Sequence, residues 1–362
     1  MRSRKEYLID RMEGRKNHFD LIRFIAASLV VVTHAYATSL GNEKSEPFIL
    51  LSNGQSTLGY GAVLIFFITS GFLITMSYDR SRSPVYFLKA RVLRIFPALI
   101  VIVVLTVFIM GPLLTKLTLP EYFRHMGTYE YLRAMFLWPM PFELPGVFET
   151  NAYEGIVNGS LWTLAYEFLF YFVVLLFGIT RLLDKKCIVL GIFILMLTLT
   201  FFSFPFATQT IELFSAFSGG MVFYLYRKVI PYKHWIAVLS LLALGLTLYY
   251  GGFIVAFSIF GSYLTFYLAY SRKIDLSGFG KHGDFSYGIY IYGFPIQQIL
   301  TEQFGGRMDV FLNFFIAYPL ILCCAFLSWH FIEKKALTWK KYQLQFSKKN
   351  ERWLVNFIQS KS

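Results

Sequence analysis

The sequence is poor in charged residues: Asp, Glu, Lys and Arg make up 15% of its 362 positions, against roughly 25% in soluble domains. It has only three cysteines, Cys187, Cys323 and Cys324, without the spacing of a disulfide framework or a metal site. We expect no cleavable signal peptide, because the first apolar run follows a charged arm and lacks a small-residue cleavage site. These absences argue against a soluble domain, a disulfide-stapled protein and a metalloenzyme.

Apolar and aromatic residues are in excess: the chain is 56% hydrophobic and contains 40 Phe and 24 Tyr. Aromatic belts are typical of membrane interfaces. The net charge of +13 would suit a nucleic-acid partner, but the cations lie between apolar runs and form no single patch. We therefore expect membrane lipids, and no nucleic acid, as partners. The sequence leaves the oligomeric state open, a homo-oligomer included.

Apolar runs of membrane-spanning length recur along the chain, and we predict an all-α integral membrane bundle of ten transmembrane helices. The predicted ranges are 19–38, 59–78, 95–115, 161–180, 187–204, 210–226, 235–250, 252–270, 285–302 and 309–332.

The distribution of cations predicts the orientation of this bundle. Of the 34 Lys and Arg, few fall in the predicted outer loops. Those few are Lys44, Lys116, Arg124, Arg133 and Arg307. The positive-inside rule therefore places both termini in the cytoplasm.

Three regions follow from this topology. Residues 1–18 form a basic cytoplasmic arm, residues 19–335 the ten-helix domain, and residues 336–362 an amphipathic basic tail on the inner leaflet. Residues 116–160 form a long outer loop rich in prolines and aromatics. That composition suits a structured lid or sugar-stacking surface, and it equally suits an ordinary re-entrant loop at the interface.

The first span carries two ionisable residues, Arg23 and His34. Eleven steps of ~100° bring both side chains to one helix face, roughly 16 Å apart along the axis. Ionisable groups at membrane depth are costly and mark functional sites. Alone, however, Arg23 could snorkel to the surface and His34 could cap the span.

Further ionisable groups lie in the third and fourth spans. Glu167 is about two turns below the outer surface, at a depth comparable to that of His34, so it should be protonated or paired. Arg91 and Arg94 share a face at the inner end of the third span. They suit polyphosphate binding, although positive-inside anchoring would also explain them.

Small residues of the second span, Gly61, Ser70 and Gly71, would allow close helix packing. We take packing as their main role, with Ser70 retained as an alternative nucleophile for an acyl-enzyme route.

Six stretches of the chain form an ordered set of motifs. They read FDLIRFIAASLVVVTHA, IFFITSGFLIT, ARVLRIFPAL, SLWTLAYEFLFY, FSYGIYIYGFPI and SWHFIEKKAL. In content and order they resemble the acyltransferase-3 family of integral membrane acyltransferases, which modify cell-surface glycans. The resemblance spans nearly the whole chain. It implies a multi-pass protein of the bacterial cytoplasmic (inner) membrane, with acyl-CoA as donor substrate and no bound cofactor.

The resemblance also implies an acceptor and a set of site residues. The acceptor would be a hydroxyl of a sugar or lipid-linked glycan, as in an O-antigen, exopolysaccharide or antibiotic precursor. By position, the family's motif residues correspond to Arg23, His34, Arg91, Arg94 and Glu167. Candidate supporting residues are Asp20, Ser70, Trp162, Tyr171 and Tyr290. Many members place a histidine where this chain has Gly293, which argues against a catalytic role for that region here.

We therefore predict a membrane O-acyltransferase that moves an acyl group, most simply acetyl, from acyl-CoA to a sugar hydroxyl. His34 is the expected general base, Glu167 would orient or charge-stabilise its imidazole, and the arginines would bind the CoA phosphates or hold the inner mouth. The alternative is a transporter or flippase of lipid-linked sugars or small polar solutes, for which repeat symmetry would be expected. A purely structural scaffold would leave the buried ionisable residues unexplained.

Overall fold

The computed structural model describes residues 6–339 except 13–15, 203 and 274. Within this part of the chain the secondary structure is helical, and no strand forms beyond two isolated bridges. Ten long helical segments are present among the described residues. They are α1 (Phe19–Leu40), α2 (Leu58–Ser81), α3 (Pro84–Leu114), α4 (Trp162–Ile179), α5 (Lys186–Leu199), α6 (Thr208–Leu225), α7 (His234–Tyr250), α8 (Phe253–Ala269), α9 (Ser286–Gln303) and α10 (Val310–Trp339).

Each of the ten segments overlaps one predicted range, and the largest shift is at the start of α3. That helix begins at Pro84 instead of residue 95. Ser83 caps it by accepting a hydrogen bond from the backbone N–H of Tyr86, and proline at the first helical position favours a start there. Arg91 and Arg94 therefore lie within the helix and not in the segment before it.

Five of the helices, α1, α2, α3, α4 and α10, are long and apolar enough to cross a membrane, and α5, α7 and α8 are shorter apolar helices. The protein is thus a helical membrane protein. The count of ten crossings and the cytoplasmic location of both termini stay predictions.

Helix α2 lies at the centre of the bundle. Of the 18-residue apolar stretch of α2, 67% is buried inside the protein, whereas only 28% of the corresponding stretch of α10 is buried. Its closest neighbour is α6, and glycines allow that approach: a Cβ atom on Gly71 would overlap the carbonyl of Phe217, and one on Gly220 would overlap the carbonyl of Ile68. The predicted packing role of Gly71 is therefore confirmed.

The other two small residues of α2 have different surroundings. A Cβ atom on Gly61 would meet no atom within 4 Å, so this glycine is not needed for close packing. Ser70 donates a hydrogen bond to Glu167 of α4. The prediction that all three serve helix approach was therefore wrong for Gly61, which faces open space.

Helices α1, α9 and α10 pack closely together through small and branched residues. Gly288 of α9 contacts Ala325 of α10 so closely that a Cβ atom would lie 2.6 Å from the Ala325 Cα. Gly293 faces α1, where a Cβ atom would lie 3.0 Å from Val31 Cγ2. A histidine at that position would have to displace Val31, so the glycine fits the packing of this chain.

The segment 116–160 is folded against the bundle. It contains the short helices Leu119–Arg124, Met126–Glu130 and Tyr131–Phe136. The side-chain amide of Asn158 donates to the carbonyl of Ile291 on α9 at 2.9 Å, and that of Asn151 donates to the carbonyl of Gln298 at 3.0 Å. Two buried asparagines thus fasten the segment to α9.

The two ends of the chain are described in part. Residues near Leu8 pair with the segment after α6, since the N–H of Leu8 donates to the carbonyl of Ile230 at 2.9 Å and the side chain of Leu8 is buried. Of the predicted amphipathic tail 336–362, residues 340–362 lie outside the described residues.

The two glycines of α2 give a matched test of this packing. Gly71→Ala should destabilise the protein by about 1–3 kcal/mol, because the new methyl group must displace backbone of α6. Gly61→Ala should leave stability unchanged or raise it slightly, because the space is open and alanine favours helix. Thermal unfolding of both variants in detergent measures the difference; equal melting temperatures would contradict the packing described.

Candidate active site

Two cavities lie one after the other inside the bundle. The first, of about 420 Å³, is called here the arginine cavity. Its charged lining residues are Asp20, Arg23, Arg91, Arg94, Glu167 and Asp284. The second, of about 690 Å³, is called the histidine cavity. Its ionisable lining residues are His34, Glu43, Tyr60, Tyr153, Tyr166 and Tyr290. Val63 and Tyr290 line both cavities, so the two share a wall.

Asp284 joins two of the arginines. Its Oδ2 atom accepts from Nη2 of Arg23 at 2.9 Å and from Nη2 of Arg94 at 2.6 Å. Its Oδ1 atom accepts from the hydroxyl and the backbone N–H of Ser286, the first residue of α9. One carboxylate therefore holds α1, α3 and the start of α9 together.

Each of these arginines also has a second carboxylate partner. Nη2 of Arg23 lies 2.9 Å from Oδ1 of Asp20, one turn earlier on α1. Nη1 of Arg94 lies 3.4 Å from Oε2 of Glu333 on α10, whose other oxygen accepts from the hydroxyl of Ser328. The network thus ties α10 to α3 as well.

The environment of Asp284 sets its response to pH. Burial alone would raise the pKa of this carboxyl, but Arg23, Arg94 and the hydrogen bonds from Ser286 hold the pKa below its ordinary value. A carboxyl whose pKa is lower in the folded than in the unfolded state stabilises the fold above the unfolded pKa. It loses that contribution as the pH falls toward the folded pKa. The ion pairs of Asp284 therefore persist at neutral and mildly acidic pH.

Arg91 differs from the other two arginines because no described carboxylate lies within ion-pair distance of it. Its guanidinium carbon lies 5.7 Å from the ring centre of Tyr171 and 5.9 Å from that of Phe87. Its Nε atom is buried without a hydrogen-bond partner among the described residues. Aromatic faces attract a guanidinium but do not neutralise it, so the negative charge that attracts Arg91 in this cavity is that of Glu167, beyond salt-bridge distance.

Glu167 lies in the arginine cavity with two of its predicted supporting residues. The hydroxyl of Ser70 donates to its Oε1 atom at 3.0 Å, and the hydroxyl of Tyr171 donates a short hydrogen bond to the same oxygen. These contacts tie α4 to α2.

The expected pairing of Glu167 with His34 is absent among the described hydrogen bonds, because the two residues line different cavities. Different residues of α4 line the two cavities. Trp162 and Tyr166 line the histidine cavity, whereas Glu167 and Tyr171 line the arginine cavity. Comparable depth in two helices therefore does not bring Glu167 to the imidazole.

His34 of α1 is positioned by packing. Its ring lies edge-on to that of Phe294, with 5.0 Å between the ring centres. Its Nδ1 atom is enclosed and has no hydrogen-bond partner among the described residues. The imidazole thus lines the histidine cavity, and no carboxylate among the described residues is hydrogen-bonded to it.

A buried carboxylate, Glu46, fixes the helix ends beside His34. It accepts from the backbone N–H of Leu58 at 3.0 Å and from the hydroxyl of Thr33 at 3.4 Å, and the Thr33 oxygen accepts from the N–H of Gly59 at 2.7 Å. This network joins the C-terminal part of α1 to the start of α2. It thereby fixes Thr33, the residue directly before His34.

Tyr290 of α9 forms the wall between the cavities. Its hydroxyl and that of Thr163 on α4 share a short hydrogen bond. The ring of Phe66 packs edge-on against the Tyr290 ring at 5.8 Å between centres. Two hydroxyls therefore stand where the cavities meet.

A comparison of sequences decides what kind of protein contains this pair of cavities. The family model of the acyltransferase-3 type, described as an acyltransferase domain, matches residues 17–330. The chain belongs to the acyltransferase-3 family. It is therefore a transferase enzyme of the membrane.

Two relatives are similar in sequence to this acyltransferase. An O-acetyl transferase of Shigella phage Sf6 is 31% identical over 344 residues, which is 90% of this chain and 97% of the relative. Nodulation protein 10 of Rhizobium leguminosarum bv. viciae is 34% identical over 167 residues, which is 44% of this chain and 43% of the relative. No solved structure gives a significant match.

The acyltransferase brings the predicted site residues together in two groups. Those in the arginine cavity are Asp20, Arg23, Ser70, Arg91, Arg94, Glu167 and Tyr171. Those in the histidine cavity are His34 and Trp162, with Tyr290 shared.

Sequence reasoning missed three carboxylates of this site: Asp284, Glu333 as a partner of Arg94, and Glu43 in the histidine cavity. Asp284 had a usable signal. It is an acidic residue directly before the ninth predicted span. A carboxylate at that boundary has reason to face an arginine within the bundle.

Replacing Asp284 should reveal how much the network contributes to stability. Asp284→Asn leaves two largely buried guanidiniums without their shared carboxylate, so we expect a loss of about 3–5 kcal/mol or failure to accumulate in the membrane. Asp275→Asn is the control, because its ion pair with Lys16 is exposed and exposed pairs contribute roughly 0–1 kcal/mol. Membrane-fraction yield and melting temperature are the measurements; a stable Asp284→Asn protein would contradict the role given to this network.

Proposed function

We propose that this acyltransferase moves an acyl group, most simply acetyl, from acyl-CoA in the arginine cavity to a sugar hydroxyl in the histidine cavity. The observation that carries the proposal is the shared wall: Val63 and Tyr290 line both cavities. A donor and an acceptor that enter from opposite ends can meet there. The reaction then needs no movement of either substrate across the whole bundle.

The arginine cavity has the chemistry that a CoA thioester requires. Guanidiniums bind phosphate oxygens with charge-assisted hydrogen bonds. Asp20, Asp284 and Glu333 already hold Arg23 and Arg94 in place, while Arg91 has no carboxylate partner among the described residues. We assign to Arg91 the first contact with a donor phosphate. Arg23 and Arg94 then lie beside that phosphate.

The histidine cavity has the chemistry that a sugar hydroxyl requires. It is large enough for a saccharide unit, since ligand cavities span roughly 300–1,000 Å³. His34 supplies an imidazole, a side chain that can take a proton from a hydroxyl during attack.

In the proposed reaction the hydroxyl oxygen attacks the thioester carbonyl carbon while His34 takes the hydroxyl proton. The tetrahedral intermediate then collapses, the C–S bond breaks, and CoA leaves as a thiol after His34 returns the proton. The hydroxyls of Tyr290 and Thr163 stand at the meeting point, where a donor would stabilise the developing oxyanion. Glu167 then acts on the donor side, through Ser70 and Tyr171, and not on the imidazole.

The relatives favour acetyl as the transferred group. One of them is itself described as an O-acetyl transferase. The proposed acceptor is a sugar of a cell-surface glycan or its lipid-linked precursor, in the bacterial cytoplasmic membrane.

The test of His34 as general base is its replacement by glutamine. His34→Gln keeps a polar side chain but cannot take up a proton, so transfer should fall by ~10²–10⁴-fold while acetyl-CoA binding is retained. His125→Gln is a matched control, because His125 lies in segment 116–160 and does not line either cavity. Transfer is measured as acetyl groups on surface glycan by mass spectrometry. Near-normal acetylation by a well-expressed His34→Gln protein would remove His34 from the mechanism.

A further inference from the structure

The charge of the histidine cavity restricts what it can bind. Neither a lysine nor an arginine is among the described residues that line it, and the carboxylate in the lining is that of Glu43. The arginine cavity, by contrast, has three arginines beside its three carboxylates. The two cavities therefore differ in whether their described lining offers a guanidinium to an anionic ligand.

Glu43 is a half-buried carboxylate without a hydrogen-bond donor among the described residues. It follows α1 by three positions, in the connection to the short helix Pro47–Leu51. Burial raises the pKa of Glu43, and the neighbouring Glu46 raises it further. Glu46 has three donors of its own, so the contrast between the two carboxylates is clear. A carboxylate that is partly removed from water gains most from a ligand that supplies donors.

Aromatic side chains surround this carboxylate. Trp138, Trp162 and Tyr166 line the cavity together with Tyr153. Trp138 remains 74% exposed although it lines the cavity, so its ring lies at the entrance. Flat apolar surfaces with polar edges suit the C–H faces of a sugar ring, and the carboxylate suits its hydroxyls.

Two uncharged polar side chains, Gln209 and Tyr60, also line the cavity. Gln209 offers an amide that both donates and accepts. The hydroxyl of Tyr60 donates to Glu212, so its oxygen is left to accept from a ligand. These groups match hydroxyls and have no formal charge to offer an anion.

We propose that the histidine cavity is selective for an uncharged pyranose ring, and that Glu43 is the positioning residue that accepts hydrogen bonds from its hydroxyls. The ring stacks on the tryptophans while Glu43 turns the reacting hydroxyl toward His34. A uronic acid or a phosphorylated ring is rejected, because its charge would meet that of Glu43 in a half-buried site whose described lining has no lysine or arginine to offset it. This inference rests on the proposed function and names the acceptor class of the same site.

The test uses purified protein in detergent at neutral pH and matched pairs of probes. The probes are the methyl glycosides of glucose, galactose and mannose and those of the corresponding uronic acids. Saturation-transfer NMR gives the affinity of each. We expect at least one neutral glycoside to bind about tenfold or more tightly than its uronate, which corresponds to about 1.4 kcal/mol.

Glu43→Gln should lower the affinity for the neutral glycoside by about tenfold, the scale of a lost charged hydrogen bond. It should also reduce the ratio of the affinity for the neutral glycoside to the affinity for its uronate. Glu149→Gln is the control, since Glu149 is an exposed residue of segment 116–160 outside the cavity lining. A merely structural role for Glu43 would weaken both members of a pair equally and leave the preference intact.

Three outcomes overturn the inference: uronates that bind as well as neutral glycosides, no binding by any probe, or an unchanged preference in Glu43→Gln. Acetyl-CoA binding and hydrolysis are measured on the same preparations. Loss of these donor activities in the unmodified protein would overturn the proposed function itself. Their presence together with failed sugar binding would overturn only the acceptor class.

Discussion

The structure depends on the pairing of buried charges within an apolar bundle. Asp284 accepts from Arg23 and Arg94 through one oxygen, and thereby joins α1, α3 and the start of α9. Glu333 adds α10 through Arg94. Without Asp284, the buried guanidiniums of Arg23 and Arg94 would lose their shared partner, which is costly. The network therefore lines the arginine cavity and joins four helices around it.

The two cavities beside this network differ in their lining. The arginine cavity has cations held by carboxylates, with Arg91 left unpaired among the described residues. The histidine cavity has an imidazole, a carboxylate and aromatic faces. In the proposed reaction, a phosphate-bearing donor and a hydroxyl-bearing acceptor meet at the shared wall, where Tyr290 bonds to Thr163. Membership of the acyltransferase-3 family shows that this protein transfers acyl groups.

The sequence predicts the helices well and their mutual contacts poorly. Apolar runs overlap all ten helical segments, because helices that are buried in lipid or within the bundle are apolar, and the sequence alone reveals this. The start of α3 was misplaced because the polar stretch after Pro84 is helical, and hydropathy does not detect a capped polar turn. The eleven-position spacing predicts that Arg23 and His34 lie on one face of α1, and in the structure each of them lines a cavity. The pairing of Glu167 with His34 could not be judged, since it depends on how α4 is rotated in the bundle.

The central claim is that donor and acceptor reach the shared wall from opposite sides of the membrane. The most direct measurement uses sealed vesicles of known orientation, with acetyl-labelled acetyl-CoA supplied on one face and a glycan acceptor confined to the other. The account predicts labelled glycan only when acetyl-CoA is on the face of the arginine cavity and the acceptor on the face of the histidine cavity. Equal labelling with both substrates confined to one face would contradict it.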